Sequence, residues 1–118
     1  MTMEQVLTVA GADIGEVYDR FCGNEAVLKK YLLRFCEDET YRRLALRLKE
    51  QDCGAIEFDA HALKGLSATL GFQKLSAACG ALTLAARNGE VSGLTVLFGQ
   101  VAEEYEHVVS ALRQLDAD

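Results

Sequence analysis

Apolar positions recur along this chain at the three- and four-residue spacing of helices, and the breaks fall on glycines and capping side chains. Residues 3–10 read as a short first helix stopped by Gly11. Asp13 is placed to cap a second helix, which runs to about Cys22 and is ended by Gly23. Asn24 caps a third, whose first half buries Leu28, Leu32 and Phe35. The stripe falters at Glu37-Asp38-Glu39-Thr40 and resumes at Tyr41, Leu44 (or Ala45) and Leu48. No glycine or proline forces a break there, so one continuous helix is preferred to two with a kink near Asp38. Asp52-Cys53-Gly54 forms a turn, followed by a helix over about 55–70 that ends at Gly71. The next, over about 72–88, buries Leu75, Cys79, Leu82 and Ala86 and stops at Arg87-Asn88-Gly89. The last, over 93–115, carries Leu94, Phe98, Val101, Tyr105, Val108, Leu112 and Leu115 as a sustained bundle seam.

This pattern predicts an all-α protein. Amphipathic helices joined by short loops favour antiparallel neighbours, so the architecture expected is an up-and-down four-helix bundle with one or two additional N-terminal helices. At 118 residues, half of them apolar, the chain makes one domain, residues 1–118, with a real core. It has no proline, which suits long helices. It lacks the roughly 18 consecutive apolar residues of a membrane span. The start, Met1-Thr2-Met3-Glu4, has neither the basic nor the apolar region of a signal peptide, so a cytoplasmic location is expected. The net charge of −6, with scattered Lys and Arg, argues against nucleic acid. Cys22, Cys36, Cys53 and Cys79 match no metal-ligand spacing and read as buried free thiols of a reducing compartment.

The chemistry-bearing residues cluster in the 55–70 helix. Counted at about 100° per residue, Ile56, Ala60, Leu63, Ser67 and Leu70 form the core stripe, flanked by Leu66. His61, Lys64, Gly65 and Ala68 fall on the opposite side. Offsets of three and four make Lys64 and Gly65 neighbours of His61 on one face. An imidazole is nucleophilic near neutral pH, a lysine one turn away supplies a cation, and a glycine removes bulk where a backbone must be approached. Phosphoryl transfer asks for that combination of positioning and charge neutralisation. On the next helix Gln73, Ser76, Gly80, Thr83 and Arg87 share a polar side able to border His61. Phe58, Ala62, Ala68 and Phe72 make an apolar rim of the kind found where proteins dock. His107, among Glu103, Glu104 and Glu106, reads as a solvated surface residue.

The run Ala60-His61-x-Leu63-Lys64-Gly65-x-Ser67-x-x-x-Gly71 resembles the phosphorylation-site motif of histidine-containing phosphotransfer (HPt) domains. The likeness extends upstream through Phe21-Cys22-Gly23-Asn24-Glu25. Downstream it continues through Leu75-x-x-x-Cys79-x-x-Leu82 and Ala86-Arg87-Asn88-Gly89. The resemblance implies that His61 is the phosphoacceptor, that Lys64 helps neutralise the phosphoryl group, and that Gly65 admits a receiver domain. Gln73 and Arg87 match positions that line or flank the site in some members. Thr83 departs from the pattern, standing where many members carry Glu or Gln able to hold the histidine ring.

The function expected is therefore that of a phosphorelay intermediate. It takes a phosphoryl group from a receiver-domain aspartate onto His61 and passes it to another. Its partners would be response-regulator receiver domains or a hybrid histidine kinase. It would be a phosphocarrier and not an autonomous kinase, since no Gly-rich phosphate loop is present. No cofactor or metal of its own is expected, the Mg²⁺ belonging to the receiver. The Met1 start favours a free protein, and a seam that can be filled within one bundle favours a monomer. A rival reading is an HPt-like receiver-docking module that carries no phosphate. A metal or small-ligand bundle would need inward-facing Glu and His ligands, which the pattern does not supply.

Overall fold

The computed structural model describes residues 1–115, and among them there are helices and no strands. The order is α1 (Met3–Val9), α2 (Ile14–Arg20), α3 (Glu25–Glu37), α4 (Thr40–Glu50), α5 (Cys53–Thr69), α6 (Gln73–Arg87) and α7 (Val91–Leu112). Four of them start on side-chain caps. Thr2, Asp13, Asn24 and Asp52 each accept a hydrogen bond from the backbone N–H three residues on, which satisfies a donor the helix itself leaves unpaired.

The all-α bundle with two extra N-terminal helices is as the sequence predicts. Helix α5 packs chiefly on α6 and also on α4, while α7 packs on α6, α4 and α3. Helix α1 lies on the outside of α7, and α2 on α1. At 22 residues α7 is about 33 Å long, in a molecule of 43 × 22 × 19 Å. The core is aliphatic through Leu28, Leu32, Leu44, Ile56, Leu63, Leu75 and Leu82, all essentially inaccessible. An aromatic chain crosses it from α4 to the start of α6. Tyr41 stacks on Tyr105 with centroids 3.8 Å apart, and Phe35 bridges Tyr105 to Phe72.

One expectation fails at residues 37–40. The third helix does not run on to Leu48, but ends at Glu37, and α4 begins at Thr40. Asp38 is extended (φ −68°, ψ 136°), and its Oδ1 accepts from the Thr40 N–H at 2.8 Å. A short carboxylate side chain thus offers the backbone a partner outside the helix. The run Glu37-Asp38-Glu39 also puts negative charge at a helix C-terminus, where the dipole disfavours it.

Phe72 was expected on the exposed rim and is instead 1% exposed, packed edge-on to Phe35. The turn explains it. Gly71, at φ +82°, donates to Ala68 O, and Phe72 N–H reaches back to Ser67 O at 2.9 Å. This left-handed cap reverses the chain and carries the next residue inward. A Cβ on Gly71 would sit 2.5 Å from Val17 Cγ2 of α2, so the same glycine allows α2 to close on the turn. Leu66, expected beside the core, is 38% exposed and lines a surface groove. The cysteines are unpaired, but only Cys79 is buried. Cys36 and Cys53 are half-buried, and Cys22 is exposed in a left-handed turn conformation (φ +54°). The last helix stops at Leu112, and Leu115 packs on the core from beyond its end.

Candidate functional site

The site is built on the outer face of α5. Ile56, Ala60, Leu63 and Ser67 bury one face of this helix, which leaves His61, Lys64, Gly65 and Ala68 exposed on the other, as the angular count predicts. Two contacts fix how α6 runs beside it. Arg87 Nε donates to Glu57 Oε2 at 2.8 Å, and the Lys64 side chain lies against Gly80. Glu57 and Lys64 bracket His61 on α5, so His61 lies across from the stretch of α6 between Gly80 and Arg87.

Each expected residue has a definite place in this frame. A Cβ built on Gly80 would fall 3.6 Å from Lys64 Cε and 3.8 Å from Nζ, so the lysine stem crosses α6 where there is no side chain. Ser76 Oγ donates to Lys64 O at 3.3 Å, tying the two helices one turn further along. Gly65 is open: a Cβ there meets nothing within 4 Å. Arg87 is exposed and held only through Nε among the described residues, which leaves both terminal nitrogens of its guanidinium without a partner. Gln73 is exposed at the first turn of α6, beyond Ser76 from His61, and stands apart from the imidazole.

Thr83 departs from the polar strip. It is 5% exposed, and its hydroxyl donates to Cys79 O at 2.7 Å, one turn back in its own helix. Its one proton is thereby committed to the backbone. Among the described residues none hydrogen-bonds the His61 ring.

Beside the histidine runs an apolar surface. Phe58, 72% exposed, Ala62, Gly65 and Thr69 follow one line along α5 at offsets of four, three and four. From Ala62 onward that line forms one wall of a groove of about 540 Å³, whose other wall is Tyr31, Arg34 and Asp38 at the α3 end. Ala68 is exposed nearby.

Three structural features escaped the sequence reading. Asp59 is buried on α5, with its oxygens 3.6 Å from Arg43 Nε and 3.8 Å from Arg47 Nε of α4. Its position between Ile56 and Ala60 on the core stripe, with two arginines four apart on the preceding helix, was a readable signal. Arg20 of α2 donates to Ala68 O and Thr69 O at 2.9 and 2.6 Å, which supplies a cation to the carbonyls at the C-terminus of α5. His107, exposed as expected, donates from Nε2 to Val9 O at 2.7 Å and pins α1 to α7. The Arg20 and His107 contacts leave no local sequence pattern, because each joins elements distant in the chain.

An all-helical bundle with a solvent-facing histidine, a lysine one turn away and a bare backbone beside it defines the class of a helical phosphotransfer module. The chain matches the family model of the Hpt domain over residues 31–114, from mid-α3 to just past α7, and it belongs to that family. No curated protein and no solved structure matches it. Membership implies histidine phosphotransfer in a phosphorelay, with receiver domains and histidine kinases as the kinds of partner, and phosphocarrier rather than kinase chemistry. None of the helices described is long and apolar enough to cross a membrane.

Proposed function

We propose that residues 1–118 act as one phosphotransfer domain and that His61 is its phosphoacceptor. A neutral imidazole nitrogen attacks the phosphorus of a receiver's aspartyl phosphate. The N–P bond forms, the acyl P–O bond breaks, and the aspartate leaves as carboxylate. In the return step a second receiver's carboxylate attacks the phosphorus and the N–P bond breaks, with imidazole as leaving group. The Mg²⁺ that screens the phosphoryl oxygens belongs to the receiver. Lys64 contributes a cation from this side, and Gly65 lets the receiver's backbone come close. Phe58, Ala62 and Ala68 contribute apolar docking area.

The observation that supports this reading best is the juxtaposition on α5 of an exposed His61 with Lys64, laid over Gly80, and with Gly65, open to solvent. A second reading, a receiver-docking module that carries no phosphate, draws on the absence, among the described residues, of a hydrogen bond to the His61 ring and on Thr83's commitment to Cys79. Incubation with phosphorylated receivers and Mg²⁺ separates the two. The first reading expects acid-labile label on the wild type and none on a folded His61→Gln variant. The second expects receiver binding that survives His61→Gln, without label on either protein.

A further inference from the structure

Among the described residues, Arg87 on the α6 side of the site has a counter-charge in direct contact, and that counter-charge comes from α5. Glu57 precedes His61 by one helical turn, about 6 Å along the axis. It takes Arg87 Nε at 2.8 Å, while the guanidinium fork stays unengaged among the described residues. Both partners are solvent-accessible, Arg87 at 56% and Glu57 at 34% of the side chain. An ion pair in that setting is easily exchanged. A phosphoryl group on His61 would bring nearly two negative charges and three acceptor oxygens to the same strip, and guanidinium forks bind such groups through paired N–H donors.

Taking His61 as the phosphoacceptor, as proposed above, we propose that Glu57 competes with the phosphoryl group for Arg87. The carboxylate holds the arginine in the resting protein and releases it to the phosphohistidine, which weakens the loaded state and so favours onward transfer. The same exchange makes Glu57 a positioning residue, since it acts only through Arg87.

The test uses the intact chain and phosphoramidate, which needs no receiver. Its P–N bond breaks as the imidazole N–P bond forms, and ammonia leaves. Arg87 Nε–H is followed by ¹⁵N NMR before and after loading. Occupancy of His61 is then measured at equilibrium with a phosphorylated receiver. Loading is expected to move the Arg87 Nε–H signal. Glu57→Gln is expected to raise occupancy about two- to fivefold, the range an exposed ion pair carries, and Arg87→Gln to lower it. In the double variant the effect of Glu57→Gln should largely vanish. An Arg87 signal that does not move on loading overturns the proposal while leaving His61 as acceptor. So does a Glu57→Gln effect that is absent, reversed or undiminished in the Arg87→Gln background, the last meaning direct repulsion. A folded protein that phosphoramidate cannot label at His61 overturns the acceptor assignment itself, and Glu57's role with it.

Discussion

Lys64 on α5 rests against Gly80 on α6, where a Cβ would stand 3.6–3.8 Å from the last three atoms of the lysine side chain. That spacing is ordinary contact, so a methyl group fits and anything larger must push the lysine aside. Gly80→Ala should leave phosphotransfer close to wild type and stabilise α6 by about 0.5–1 kcal/mol, the helix-propensity gain over glycine. Gly80→Leu should keep the helical content, displace Lys64 and slow loading of His61 about tenfold or more, since small misplacements at a transfer site are costly. Loading rates from a phosphorylated receiver, with circular dichroism as the control for folding, check both. A Gly80→Leu variant that loads at the wild-type rate would remove Lys64's placement from the mechanism.

Gly65 poses the converse case. It lies mid-helix, where glycine costs about 1 kcal/mol relative to alanine, and no neighbour among the described residues needs the space. The fold therefore gives no reason for it, and the receiver's approach proposed above would give one. Gly65→Ala should raise the isolated protein's stability by about 0.5–1 kcal/mol. Gly65→Gln should fold normally but bind a receiver about tenfold more weakly, as a side chain lodged in a docking surface would cause. Thermal melts and titration calorimetry on the same preparations separate the two effects.

The sequence showed the elements and the outward face of α5 because both depend on local periodicity. Gly71 and Gly89 gave the turns, and the stripe Ile56-Ala60-Leu63-Ser67 turned His61 to solvent without any tertiary knowledge. What it did not show depends on side chains that leave the local pattern. Asp38 ends α3 by capping Thr40, a competition that hydrophobic spacing does not register. Phe72 looked like rim because it follows a turn, but its inward direction is set by the left-handed cap at Gly71. Thr83 carries a hydroxyl at a site position, yet a threonine in a helix can spend its proton on the carbonyl one turn back, and here it does.

Asp59 tests how much of the α4–α5 packing is ionic. Its carboxylate is buried while Arg43 and Arg47 reach it from partly exposed positions, at the long end of ion-pair distances. Asp59→Ala leaves two arginines that can turn to water, so the cost should be about 1–2 kcal/mol, below that of breaking a fully buried pair. His61 lies on the other face of α5 and should load normally. Urea denaturation gives the first quantity and receiver-dependent labelling the second. A folded Asp59→Ala protein that no longer accepts phosphate would mean that α4 shapes the site directly.

The thiols give a prediction with a definite pH direction. Burial among apolar side chains pushes Cys79 up to about 12 from its ordinary 9.0, whereas Cys22 is exposed on the α2–α3 turn. Only the thiolate reacts with disulfide reagents. At pH 8 Cys22 should therefore react promptly in the native protein, and Cys79 only after denaturant opens the core. The folded state holds the Cys79 proton more tightly than the unfolded chain does. The stability this contributes is complete below about pH 9 and is lost progressively as pH rises toward 12. Cys79→Ala removes that titration at the expense of a small cavity, about 1 kcal/mol or more. Its stability should consequently fall less steeply than wild type between pH 9 and 11. Equal slopes in the two proteins would show that the alkaline loss comes from another group, with Tyr18, raised to about 12 by burial and its hydrogen bond to Glu25, the next to test.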